Sequence, residues 1–322
     1  MELIMENTQD KLVNHAVRYD HFGHSDVLYI AELPKPSPQA DEVLVKVKTS
    51  GINPGEASIR EGRLEKQFPS TFPSGQGTDF AGVIESVGTD VARFKAGNEV
   101  IGFTNERNGQ AEYVVVKADQ LVPRPAKVTW EEAGGLFVVG TTAFAAIEAV
   151  SLKKGDIVIV SGAAGGVGSV TVQIAKKRGA TVIGIASEHN HQWLKDHGVI
   201  PVTYDGNIEE HLKAALSGHT ADAFIDTAGK GYVEMAIKMG IPPEQINTII
   251  DFEAAGKYKV KTNGSSAAAN AQVLEMLASM INNGELEIPI AKTYPLNQVK
   301  EAYQELEQHH THGKIILIAS AN

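Results

Sequence analysis

Hydrophobic and polar positions follow two different rhythms along this chain. In Glu42-Val-Leu-Val-Lys-Val-Lys48, Val43, Val45 and Val47 share one face and Lys46 and Lys48 the other, which is the two-residue period of a strand. Leu44 breaks the polar face, so that face is expected to be partly covered. Phe80–Val87 and Glu112–Val116 read as further strands, with Gly88, Gly97, Gly102 and Gly109 as turns. Pro34, Pro36 and Pro38 mark an extended connection.

After about Gly135 strands and helices alternate. Ile157–Val160 reads as a strand and Val167–Arg178 as a helix ended by Gly179. Thr181–Ile185 is the next strand, and Ser187 is placed to cap a helix reaching Lys195. Pro201–Tyr204, Ala223–Asp226 and Thr248–Ile250 read as later strands, so this part is an α/β domain with a doubly wound parallel sheet. Nearer the end come an amphipathic helix from about Ala267 to Gly284, a helix from Leu296 through Leu306, and a strand Lys314–Ile318.

The sharpest local signal is Ser161-Gly-Ala-Ala-Gly-Gly-Val-Gly168, between a β-branched run and a helical pattern. Glycine accepts a positive φ and lets backbone N–H groups approach a pyrophosphate. A tight strand–helix turn in any α/β protein would also use glycines. With a strand before, a helix after and a second strand beyond, a dinucleotide site is expected, contacting Gly162, Ala164, Gly165, Gly166, Val167 and Gly168. NAD-binding chains place Asp or Glu at the end of the second strand. Here Glu188 falls in the first turn of the next helix, where the helix dipole explains it. Ser187 can donate to a 2′-phosphate, so NADP(H) is the expected cofactor and NAD(H) the alternative.

Composition narrows the partners. The 322 residues suit two domains, and a net charge of −10 disfavours general attraction to nucleic acid or an anionic membrane surface. The absence of cysteine excludes disulfides, cysteine zinc lobes and a thiolate nucleophile, with the cytoplasm as default compartment. No opening signal segment and no 18-residue apolar run able to span a bilayer are read. Residues 1–11 read as a loosely held extension.

Several blocks in order resemble the medium-chain dehydrogenase/reductase superfamily, in its zinc-free quinone oxidoreductase branch. They are Gly51-Ile-Asn-Pro54, Gly77-Thr-Asp-Phe-Ala-Gly82, Ala111-Glu-Tyr113, Gly140-Thr-Thr-Ala143, Ser161–Gly168, Ala186-Ser-Glu-His-Asn190, Asp226-Thr-Ala-Gly229 and Gly313-Lys-Ile-Ile-Leu317. The resemblance implies a GroES-like β-rich domain from both chain ends (residues 12–135 and 265–322) and an inserted Rossmann domain (136–264). It also implies a homodimer. Zinc-dependent relatives have a cysteine where this chain resembles the pattern with Asn53, and a histidine where it has Thr78; neither replacement is a usual zinc ligand. Without a Lewis acid, reduction of an electron-poor quinone or enone is easier to support than alcohol oxidation.

By the same resemblance Asn53 and Thr142 lie at the nicotinamide and substrate, as the catalytic pair. Their plain alternatives are an Asn-Pro turn and a helix N-cap. Tyr204 matches a tyrosine at the adenosine 2′-phosphate, against an ordinary strand-end aromatic. His189 stands where relatives often carry Lys or Arg, against a solvated helix residue, and histidine is only partly cationic at neutral pH. Ile250 and Phe252, beside Asp251, stand at a strand's carboxyl end, where ligands collect. Tyr113 reads as a packed strand tyrosine. His309, His310 and His312 read as a solvated helix end, not a metal site. The function expected is NADPH-dependent hydride transfer to a quinone or similar electron-poor carbonyl. The alternatives are reduction of a 2-alkenal or enone double bond, and a non-catalytic NADPH-binding or redox-sensing protein.

Overall fold

The computed structural model describes residues 13–308 and 311–319. The extension expected over residues 1–11, and His309 and His310, lie outside the described residues. The chain divides into two compact units, at Phe137/Val138 and again at Pro289/Ile290.

The first unit opens with β1 (Val13–Tyr19) and β2 (Tyr29–Pro34), an antiparallel pair that the polar residues His15 and Arg18 hide in the sequence. Next come β3 (Glu42–Gly51), α1 (Pro54–Arg60), β4 (Ser74–Gly75), β5 (Asp79–Val87), β6 (Glu99–Phe103), β7 (Tyr113–Lys117) and β8 (Leu121–Pro123). β3 is the hub, pairing antiparallel with both β5 and β7. Val43, Val45 and Val47 are fully buried, and Leu44 is buried too, as its break in the polar face foretells. The Asn-Pro turn weighed as the plain alternative for Asn53 is in fact the start of α1, with Asn53 at the N-cap. Pro54 stands at the first helical position, where a missing N–H costs nothing.

The division between units falls within α2 (Trp130–Ala149), a helix the sequence pattern did not reveal. By length and composition it could cross a membrane, with mean hydropathy 1.2, which corrects the expectation that no such run exists. Of that window 78% is buried in the fold, as in a core helix.

The second unit is built on a five-stranded parallel sheet. Its strands are β9 (Ile157–Ser161), β10 (Thr181–Ile185), β11 (Ile200–Val202), β12 (Ala223–Asp226) and β13 (Ile246–Thr248), in the spatial order β11-β10-β9-β12-β13. Helices α3 (Gly166–Lys177), α4 (His191–Asp196), α5 (Ile208–Leu216), α6 (Tyr232–Lys238), α7 (Phe252–Tyr258) and α8 (Ala271–Asn282) connect and extend it. Strands buried on both faces explain the unbroken β-branched run of β9. The chain winds outward from β9 to β11, then crosses back to β12 beside β9. That reversal makes the β9/β12 boundary a topological switch point, where α/β sheets collect ligands.

Several boundaries differ from the sequence reading, among them β11, which covers Ile200–Val202 and not Pro201–Tyr204, and α8, which starts at Ala271. β13 ends at Thr248, not Ile250, because Thr248 Oγ1 accepts the N–H groups of Ile250 and Asp251 and turns the chain. The helix expected from Ser187 opens instead as a short 3₁₀ turn (Glu188–Asn190) before α4, and the Ser187 side chain makes no capping bond. The return to the first unit comes at Ile290, not at residue 265. Just after α8, Gln173 on α3 exchanges hydrogen bonds with the backbone of Glu287 and holds this segment to the second unit. An amphipathic pattern shows that a helix has an apolar face, but not which core that face covers.

The chain then re-enters the first unit as β14 (Ile290–Pro295), α9 (Val299–Glu307) and β15 (Lys314–Ile318). β15 pairs antiparallel with the end of β3, opposing Ile316 to Gly51, so the returning C-terminal segment joins the sheet built on β3, while β1, β2 and β4 form a separate three-stranded sheet.

Candidate functional site

In the second unit, the turn after β9 carries the glycines. Gly162 adopts φ +60°, a conformation most side chains resist, and a Cβ there would come within 2.8 Å of Thr227 Oγ1. At Gly168 an added Cβ would lie 2.0 Å from the Gly162 carbonyl oxygen, so this glycine closes the turn against its own helix. Gly165 differs. A Cβ there would meet only the Gly162 oxygen, at 3.3 Å, leaving the outer side of the turn open. Gly165, Gly166 and Val167 are partly exposed, while Ala164 and Gly168 are packed inside.

α3 starts at this point. The N–H groups of a first helical turn have no partner within the helix, and its first turn carries no acidic side chain. Lys176 and Lys177 fall in the last turn, so the helix charge is arranged for an anion at its start. Asp226 holds the floor. Its Oδ1 accepts from Ser161 Oγ (2.6 Å), Ala228 N and Gly229 N, and its Oδ2 from Thr248 Oγ1 (2.8 Å). One carboxylate thereby ties together the ends of β9, β12 and β13. These observations fit a diphosphate at the switch point.

After β10, Ser187, His189 and Asn190 form a cluster. Asn190 Nδ2 donates to Ser187 Oγ at 3.0 Å, and His189 Nε2 lies 3.3 Å from the same oxygen. Glu188 is exposed in the turn, beyond the end of β10. Tyr204, two residues past β11, is 45% exposed. Ile250 and Phe252 are also exposed, and Ile250 lies beside Gly229. Asp251 is the N-cap of α7, its Oδ1 accepting from Ala254 N at 3.0 Å. Thr142 is buried in the interior of α2, which removes the helix-cap explanation for it.

Asn53 belongs to the first unit, within a buried polar cluster the sequence did not reveal. Its backbone N–H donates to Glu56 Oε2. Its Nδ2 donates to Glu56 Oε1 (3.2 Å) and Asp79 Oδ2 (3.0 Å), while its Oδ1 accepts from Lys314 Nζ at 2.6 Å. Lys314 Nζ also donates to Ile52 O at 2.7 Å and stands 3.6 Å from Asp79 Oδ2. Both amide hydrogens of Asn53 are therefore committed. What remains is one carbonyl lone pair, which suits an N–H donor and not a substrate carbonyl oxygen.

Glu56 is the acceptor at the centre, receiving Thr78 N (2.8 Å), Tyr303 OH (2.9 Å) and Gln110 Nε2 in addition to Asn53. Burial, then the nearby Asp79 carboxylate, raises its pKa above the ordinary carboxylate value, against Lys314 and the donated hydrogen bonds. Burial lowers the Lys314 ammonium, with Asp79 and Glu56 opposing, and drives the Tyr303 hydroxyl well above its usual value. Residues as far apart in sequence as 53 and 314 meet here. The only sequence signal was that Asp79 and Lys314 interrupt otherwise apolar strand patterns. Among the described residues no three His, Asp or Glu side chains gather as a metal-binding group.

Comparison with known proteins places the chain. Residues 39–126 match the alcohol dehydrogenase GroES-like domain and residues 197–317 the domain described as zinc-binding dehydrogenase. The chain is 28% identical to a chloroplast envelope quinone oxidoreductase homolog of Arabidopsis thaliana, over 94% of this chain and 98% of that one. It is 27% identical to the quinone oxidoreductase of Rattus norvegicus, over 96% and 97%. The solved quinone oxidoreductase structure from Coxiella burnetii superposes with a TM-score of 0.86 at 28% identity, covering 96% of this chain and all of that one. With the GroES-like unit built from both chain ends and the parallel-sheet unit between them, the chain is an oxidoreductase of the medium-chain dehydrogenase/reductase superfamily and belongs to its quinone oxidoreductase branch.

Proposed function

We propose that this enzyme is an NADPH-dependent reductase that delivers hydride to a quinone or a similar electron-poor carbonyl, and that it works as a homodimer. The observation that carries the cofactor assignment is the turn after β9. Gly162 and Gly168 are packed where a Cβ cannot fit, while Gly165 is open where an anion would approach. Gly162, Gly165, Gly166, Val167 and Gly168 would hold the diphosphate by backbone contacts, with Ala164 packed behind them.

NADP over NAD rests on the end of β10. The last residues of β10 carry no carboxylate, Glu188 standing three residues beyond them in the exposed 3₁₀ turn, and Ser187, His189 and Asn190 offer hydroxyl, imidazole and amide together. Tyr204, Ile250 and Phe252 supply exposed apolar surface for the adenosine and ribose.

A bound nicotinamide supplies the hydride. The protein's part is positioning. Asn53, its amide locked by Lys314, Glu56 and Asp79, offers one fixed lone pair that suits the N–H of a carboxamide. Thr142 offers a hydroxyl with no hydrogen-bond partner among the described residues. Steady-state rates with NADPH and NADH against a benzoquinone, a naphthoquinone and a 2-alkenal test the reading. Faster turnover of quinones with NADPH is expected. Preference for the alkenal would make the enzyme a double-bond reductase, and tight cofactor binding without turnover of any acceptor would make it a non-catalytic binder.

A further inference from the structure

A second polar pocket, of about 340 Å³, lies wholly within the first unit and is no part of the site described above. Its walls are β1, the segment 69–75 and the loop 105–108, with Arg18, Thr71, Asn105, Glu106, Arg107 and Asn108 among the lining residues. The volume falls in the range of small-molecule sites.

Its two arginines are used differently. Arg107 is spent on structure. Its guanidinium donates to Ser70 Oγ (2.8 Å), Phe68 O and Pro69 O, and its backbone holds φ +53°, a left-handed conformation that non-glycine residues seldom adopt. Arg18 is half-buried, and among the described residues only Nη1 is bonded, to Val17 O at 3.0 Å. Burial lowers its pKa, the cost of withdrawing a guanidinium from water. Its Nε–Nη2 edge, the side that grips an oxyanion with two parallel N–H bonds, has no hydrogen-bond partner among the described residues.

Other features match an acceptor-rich ligand. Asn108 Oδ1 accepts from Thr104 Oγ1 at 2.7 Å, which leaves its amide hydrogens without a partner among the described residues. Gly75, opposite Arg18 in the β1–β4 register, makes room. A Cβ there would lie 2.1 Å from Arg107 O and 2.8 Å from Arg18 Nη1. Among the described lining residues Glu106 is the one opposing charge, and it is exposed, where water screens it.

We infer that Arg18, with Asn108 beside it, forms an oxyanion-binding pocket that receives the carboxylate or phosphate group of a small molecule. A carboxylate and a phosphate share the geometry the Arg18 edge selects, so both are tested.

The test uses the full-length enzyme, titrated calorimetrically with inorganic phosphate and separately with succinate at constant ionic strength. Saturable binding of at least one is expected, and the tighter of the two identifies the group the pocket prefers. Arg18→Gln should weaken it about tenfold or more, the scale of a lost pair of charge-assisted hydrogen bonds. Because that variant could fold poorly, the side-chain Nε–H resonance of Arg18 is also followed in the wild-type enzyme, identified by its loss in Arg18→Lys. It should shift along the same saturation curve. No saturable binding of either anion, undiminished binding in a folded Arg18→Gln variant, or an Arg18 resonance that stays fixed would each overturn the assignment.

Discussion

Replacing Lys314 with Met removes the one ammonium from the buried cluster around Asn53. The side chain is 3% exposed, donates to Ile52 O and Asn53 Oδ1, and faces Asp79, which is fully buried. Its loss leaves two acceptors short of a donor and Asp79 short of a cation. Taking one partner from a buried ion pair costs about 3–5 kcal/mol, and the apolar Met side chain recovers part of that, so a loss of about 3 kcal/mol is expected. For a unit of this size that corresponds to a fall of roughly 6–12 °C in Tm. Trp130 is grouped with the first unit and Trp193 with the second, so a Trp193→Phe background lets Trp130 fluorescence report urea unfolding of the first unit. Adding Asp79→Asn should restore about 1 kcal/mol or more relative to additivity, because the charge left stranded is then gone. A loss under about 1 kcal/mol, with the two substitutions strictly additive, would refute the idea that Lys314 neutralises this cluster.

Other expectations follow from single contacts. Gly168→Ala should cost the second unit about 3 kcal/mol in urea unfolding, since its Cβ would meet a backbone carbonyl at 2.0 Å; a stable variant would show that the turn is looser than described. Asp226→Ala should cost at least as much, because four donors from three strand ends lose their acceptor, and unchanged stability would contradict that role. The hydrogen bond that His15 Nδ1 donates to the Glu112 carboxylate, opposed by burial, raises the His15 pKa above its unfolded value. The stabilisation is therefore fully present below about pH 6.5 and is lost as pH rises through the higher folded value. The Tm gap between wild type and Glu112→Gln should accordingly be wider at pH 6 than at pH 9, and a gap that widens with pH would reverse the sign.

Local order was legible where one strand decided its own fate. Ala223–Asp226 and Lys314–Ile318 form strands over the ranges their short apolar runs imply, and the glycines at 162, 165 and 168 announced a turn. β1 was hidden because His15 and Arg18 interrupt its apolar positions. α2 was hidden because Gly134, Gly135 and Gly140 look like breakers; at Gly134 a Cβ would meet Thr49 Oγ1 at 2.3 Å, so that glycine serves close packing. The state of Asn53 could not be read locally at all. Its oxygen is held by a lysine 261 residues away, and its amide by an aspartate 26 residues on, so its remaining hydrogen-bonding capacity exists only once the first unit has closed.

The central claim is that the open face of the 162–168 turn takes a cofactor diphosphate, and Gly165→Asp tests it most directly. The backbone at Gly165 (φ −76°) accepts any residue, and a Cβ there meets only the Gly162 carbonyl oxygen, at 3.3 Å, so a small adjustment of the turn should leave the variant close to wild type in unfolding. A carboxylate about 6 Å from the diphosphate, at an effective dielectric near ~20, costs roughly 2.8 kcal/mol. NADPH and NADH titrations should therefore each weaken about 100-fold, with NADPH the tighter ligand of wild type. A folded Gly165→Asp protein that binds both cofactors as wild type does would contradict the account.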